Sequence, residues 1–107
     1  MSSTPADYHA SRVEISADLF RATPAIGASC ALPFPEKILT VKMDGPAGQA
    51  WFVAEFDPAS GTCWGWTDAF GRGVWCSFRL DRIRRDGGKV DPSWVSMKAK
   101  ACPRVGA

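Results

Sequence analysis

The feature that most constrains this chain is its punctuation. Four runs rich in β-branched and aromatic residues follow one another: Lys37–Met43 (KILTVKM), Ala50–Phe56 (AWFVAEF), Thr62–Thr67 (TCWGWT) and Val74–Phe78 (VWCSF). Between them lie Asp44-Gly45-Pro46, then Asp57-Pro58-Ala59-Ser60-Gly61, then Phe70-Gly71-Arg72-Gly73. Glycine, proline and aspartate are turn formers, and short strand-like runs separated by such turns at a spacing near ten residues predict an antiparallel meander.

Register follows from the second turn. With Asp57 opposite Thr62 across four turn residues, Glu55 faces Trp64, Val53 faces Trp66 and Trp51 faces Asp68 on one side of the sheet. Phe52, Ala54, Phe56, Cys63, Gly65 and Thr67 then share the other side. Both sides carry large apolar groups, so both need a cover. The sequence offers an N-terminal helix for one, and for the other either an open aromatic face or the Pro-rich loop and the tail.

The flanking segments supply those covers. Ser11–Arg21 fits a short helix, with Ser16 as N-cap and Asp18 in the first turn, stopped by Pro24 and Gly27. Residues 25–35 read as loop, with Pro33 and Pro35 holding an extended segment up to Lys37. Leu80–Arg85 fits one or two helical turns ended by Gly87-Gly88, and Trp94–Met97 fits a closing edge strand. Residues 1–11 and 99–107 are small and polar or basic, and are expected to be loose. The chain's 107 residues suit one domain. The expected fold is thus α+β: a mostly antiparallel sheet of four or five strands with one or two short helices.

Composition narrows the chemistry. With 46% hydrophobic and 22% charged residues, the chain has ordinary globular composition. No apolar run is long enough to span a membrane, and the start has no basic-then-apolar secretory pattern. A cytoplasmic domain without a membrane partner is the expectation. The one histidine is His9, so no Ser–His or Cys–His pair can form within the sheet-forming region. Cys30, Cys63, Cys76 and Cys102 lack the close pairs of a structural zinc site, and free thiols are expected. No glycine-rich phosphate loop is present. Glu55, Asp57 and Asp68 are the carboxylates that a small hydrolytic site would need, but Asp57 before Pro58 suits a backbone-bonded turn, and Glu55 suits a cross-strand pair with Lys42. Neither a cofactor nor a metal is expected.

What remains is a recognition surface. Five tryptophans are many for this length, and Trp51, Trp64, Trp66 and Trp75 all fall in the meander. Aromatics on a sheet form core, anchor a protein partner or stack on bases. Charge is uneven as well. Residues 1–71 hold four basic against eight acidic residues, and residues 72–107 hold nine against three. The expected binding residues are Trp64, Trp66 and Trp75 with Arg79, Arg82 and Arg85, because arginine's planar fork suits carboxylate and phosphate alike.

Three stretches carry a family resemblance: Trp51–Pro58 (WFVAEFDP), Thr62–Trp66 (TCWGW) and Gly73–Leu80 (GVWCSFRL). Together they resemble the domain of unknown function 2958 family, small uncharacterised proteins of bacterial plasmids and integrative elements. Glu55-Phe56-Asp57-Pro58 matches that family's corner and Trp64-Gly65-Trp66 its next strand. The chain departs from the family in placing Arg82, Arg84 and Arg85 where acids are usual. The resemblance spans about residues 37–85. It implies a compact α+β domain in a mobile-element setting, and no reaction. The expected function is a non-enzymatic interaction module that binds a protein, such as an inhibitor of or accessory to a host defence complex. Direct nucleic-acid binding by the basic C-terminal half is the first alternative, and a small carboxylate-based enzyme the second.

Overall fold

A computed structural model of the chain describes residues 20–106. The polar start, the Ser16 cap and most of the Ser11–Arg21 helix lie outside the described residues; Phe20 and Arg21 are helical. The elements that follow are β1 (Ile38–Leu39), β2 (Val41–Asp44), β3 (Ala50–Asp57), β4 (Thr62–Thr67), β5 (Val74–Arg79), α1 (Leu80–Arg85), β6 (Lys89–Val90), β7 (Met97–Lys98) and α2 (Pro103–Gly106), with 3-10 turns at Phe34–Glu36 and Ala99–Ala101. The fold is α+β. Strands β2 to β5 form an antiparallel meander in chain order, and β6 returns beside β2, giving the order β5-β4-β3-β2-β6.

Two strand assignments need correction. The Lys37–Met43 run is split at Thr40. Leu39, Thr40 and Val41 are all buried, which a strand alternating between two faces cannot achieve without a break. Thr40 gives both its N–H and its hydroxyl to the Val53 carbonyl, at 2.8 and 3.2 Å, and β1 turns away to pair with β7. The closing strand is therefore Met97–Lys98, in a separate two-stranded ribbon, and the fifth strand of the main sheet is β6. Trp94 is held instead by its side chain, whose Nε1–H donates to the Leu39 carbonyl at 3.0 Å.

The register departs from expectation at one residue. Asp57 faces Thr62 and Glu55 faces Trp64, but a bulge between Val53 and Glu55 leaves Ala54 as the extra residue. Beyond it Val53 pairs with Gly65, Phe52 with Trp66 and Trp51 with Thr67. A one-residue insertion re-phases everything past it. Phe52 thus joins Trp66 on one face, while Trp51 and Val53 go to the other. Gly65 permits this geometry, since a Cβ there would lie 1.8 Å from the Phe52 carbonyl oxygen.

Each face has its own core. On the first, the helix face, Phe20 and Ile83 of α1 pack on Val41, Met43, Val53 and Cys63, flanked by Trp51, Phe56, Phe78 and Leu80. On the second, the loop face, Leu39, Ala99 and Cys102 pack on Ala50, Phe52, Ala54 and Trp66, flanked by Trp64, Trp75, Trp94 and Val105. The C-terminal segment is not loose. Ala99 and Cys102 are buried, and Arg104 of α2 bonds the Asp68 carboxylate and the Gly48 carbonyl, each at 2.7 Å.

Candidate functional site

The sheet splits the expected binding residues into four groups. Trp66 is only 8% exposed and packs on Phe52, ring centroids 5.7 Å apart; it belongs to the core. Trp64, two residues before Trp66 on β4, and Trp75, opposite Trp66 on β5, stack diagonally across the two strands at 5.3 Å. Arg82 and Arg85 are exposed on α1, whose inward residues Leu80 and Ile83 join the helix-face core. The helix arginines and the paired indoles are thus carried on opposite sides of the sheet. Arg79, at the end of β5, bonds Asp81 at 3.2 Å. Arg82, Arg84 and Arg85 have no ion-pair partner among the described residues.

The aromatic surface has a third member that sequence reasoning missed. Phe34 stacks on Trp75 at 4.9 Å and approaches Trp64 at 6.0 Å, while remaining 51% exposed. Its flanks explain the presentation. Pro33 is the N-cap and Pro35 lies in the first turn of a 3-10 turn, so the backbone on both sides of Phe34 is fixed in φ. An aromatic residue between two prolines, in a segment read as loop, was the available signal.

Beneath this stack lies a buried polar group. Lys37 and Glu55 are 3% and 4% exposed. The Glu55 carboxylate accepts the Gly27 N–H at 2.7 Å, the Ser29 N–H at 3.0 Å and the Ser29 hydroxyl. Lys37 Nζ donates to the Ser29 carbonyl at 2.5 Å and lies 5.1 Å from the Trp64 ring centroid, a cation–π distance. Burial pushes the Glu55 pKa upward, but the Ser29 hydroxyl, the two N–H groups and the Lys37 charge outweigh it and hold the carboxyl below its ordinary range. The bulge at Ala54 makes this arrangement: it keeps Glu55 on the face of Trp64 after Ala54 has already pointed there. Lys42, the expected partner of Glu55, pairs with Asp44 and Asp91 instead, at 3.1 and 3.8 Å.

The other carboxylates are also committed to local bonds. Asp57 accepts the Ala59 N–H at 3.1 Å and the Ser60 hydroxyl at 2.6 Å, the turn role its place before Pro58 suggested. Asp68 accepts the Ala50 N–H at 2.9 Å and pairs with Arg104. Each carboxylate braces backbone in a different region, so they do not converge on one point. All four cysteines are free thiols. Burial pushes Cys63 up to about 12, which keeps it protonated and a poor nucleophile. Among the described residues no cluster of His, Cys, Asp or Glu is arranged to hold a metal, and no helix is long and apolar enough to cross a membrane.

No family model matches the chain, and no curated protein or solved structure is significantly similar to it.

Proposed function

We propose that the chain is a protein-binding module whose docking surface is the Phe34–Trp75–Trp64 stack. The observation that carries this reading is Phe34: a large apolar side chain, half exposed, held in place by two prolines and already stacked on a tryptophan. Rigid aromatics with little rotamer freedom to lose are the preferred anchors of protein interfaces. Lys37 and Glu55 beneath the stack fix its floor, so it is formed before any partner arrives. The reading assigns no reaction. An accessory role in a mobile element, with occupation of a surface of a host defence complex as one form of it, rests on the short motifs Trp51–Pro58, Thr62–Trp66 and Gly73–Leu80 alone. Weak polyanion binding by Arg82, Arg84 and Arg85 is the second reading, favoured by their exposure without ion-pair partners.

The test is affinity capture from nuclease-treated host lysate. The native chain and an Arg82→Ala/Arg85→Ala variant should retain the same protein, and Phe34→Ala should lose it while keeping its native circular dichroism. Capture that ignores Phe34 would overturn the reading. Salt-sensitive retention of DNA or RNA that vanishes with the arginines would establish the second reading in its place.

A further inference from the structure

The two edges of the main sheet are built differently. On one side β6 is two residues long, and it carries Lys89, a normal way to blunt an edge. On the other side β5 runs for six residues, pairs with β4 without a register break, contains no proline, and ends in its single charge, Arg79. None of its six residues is fully buried. Among the described residues, no backbone hydrogen bond reaches β5 from beyond the sheet.

The phase of this outer edge can be read. The Leu80 N–H donates to the Gly61 carbonyl at 3.0 Å. In an antiparallel ladder hydrogen-bonded pairs alternate, so Phe78, Cys76 and Val74 bond inward to β4. Trp75, Ser77 and Arg79 then direct their N–H and C=O groups outward, and their side chains share the loop face with Trp64 and Trp66.

We infer that this edge joins two copies of the chain, the β5 strands pairing antiparallel across a two-fold axis at Ser77. The sequence of β5 is self-complementary about that residue. Ser77 meets Ser77 of the second copy, two small hydroxyl side chains with no steric conflict. Trp75 meets Arg79 of the second copy on the same face, placing a guanidinium over an indole; the Asp81 bond uses the edge of that guanidinium and leaves its flat face free. On the other face Cys76 meets Phe78, apolar against apolar. No like charges oppose each other, and each copy contributes the same patch, as a two-fold contact requires. Pairing converts two five-stranded sheets into one continuous sheet and brings the two Phe34–Trp75–Trp64 stacks to neighbouring positions. The inference rests on the edge and not on the partner proposed for the aromatic stack.

Sedimentation of the native chain over a wide concentration range tests it. The expected result is a reversible shift from the 11.6 kDa chain mass to twice that value. Ser77→Pro removes only an outward N–H, a position where an edge strand tolerates proline, and Ser77→Lys sets two like charges on the axis. Both should remain folded by circular dichroism and stay monomeric. In a Cys30→Ser background, Ser77→Cys should cross-link to a dimer on mild oxidation, because directly opposed hydrogen-bonded residues lie about 5.5 Å apart between Cα atoms, within disulfide reach. A native chain that is monomeric at every concentration would overturn the inference, and so would a dimer that survives both Ser77 substitutions.

Discussion

On one face of the sheet, Leu80 and Ile83 of a two-turn helix close with Phe20 over Val41, Met43, Val53 and Cys63, and the contact is apolar throughout. On the other face the described residues supply no helix of comparable length. The cover is assembled from a 3-10 turn, a two-stranded ribbon, Trp94 and the short C-terminal helix. Polar bonds pin this side at separate points: Glu55 to Gly27 and Ser29 of the preceding loop, Trp94 to Leu39, Arg104 to Asp68. The difference teaches how a small domain can keep an exposed aromatic surface. A helix covers its face through one continuous apolar stripe. Separate pieces can be pinned individually, so the cover can stop short and leave Phe34, Trp64 and Trp75 partly exposed beside β5 without loosening what lies beneath.

The largest effect expected on this comparison comes from the bulge that sets the faces apart. Gly65→Ala would drive a Cβ into the Phe52 carbonyl, a backbone group that cannot step aside. We expect a loss of more than about 4 kcal/mol, within the severe range for single substitutions, measured by urea unfolding. Phe52→Ala, in the fully covered part of the loop face, should cost about 3–5 kcal/mol. Glu55→Gln should cost about 2–3 kcal/mol, because charge-assisted bonds from two N–H groups and a hydroxyl are lost or inverted. A Glu55→Gln variant as stable as the native chain would mean that the loop face is held by packing alone.

Acid sharpens the same contrast. Glu55 and Asp68 are held below their ordinary values of 4.5 and 3.8, in each case by hydrogen bonds and a nearby cation that overcome burial. A depressed carboxyl contributes stability that is fully present above its ordinary value and is lost as pH falls through the folded-state value. The loop face should therefore weaken below about pH 4.5. Hydrogen exchange should show the Gly27 and Ser29 amides losing protection on acidification before the amides of α1, and Glu55→Gln should abolish that order.

The strands were readable because local chemistry decides them: Asp-Gly-Pro, Asp-Pro-Ala-Ser-Gly and Gly-Arg-Gly end runs of Ile, Val, Thr, Phe and Trp, and Gly87-Gly88 ends α1. The bulge was not, since nothing in Trp51–Phe56 breaks the strand pattern. Its trace is on the neighbouring strand, where Gly65 sits inside an otherwise aromatic run. Lys37 and Glu55 were hidden for a different reason. A buried lysine becomes acceptable only when Ser29, Glu55 and Trp64 converge on it, and those residues come from three separate segments. The aromatic surface was half legible: Trp64 and Trp75 stood out as unusual, whereas Phe34 passed as loop, and Trp66 was indistinguishable from them until the register placed it on Phe52. The arginines were read as neighbours of the indoles because Arg79 ends β5 and Arg82 and Arg85 come directly after it. α1 carries the rest of them to the other side.

The central claim is that one face of the sheet is divided into a core end, around Phe52, and a binding end, around Phe34. Unfolding free energies of Phe34→Ala and Phe52→Ala, measured side by side, test it most directly. The account predicts a cost of about 1 kcal/mol or less for Phe34→Ala, the size expected of a half-exposed side chain, against about 3–5 kcal/mol for Phe52→Ala. Equal losses for the two would contradict it, because Phe34, Trp64 and Trp75 would then be core, and no part of that face would be set aside for binding.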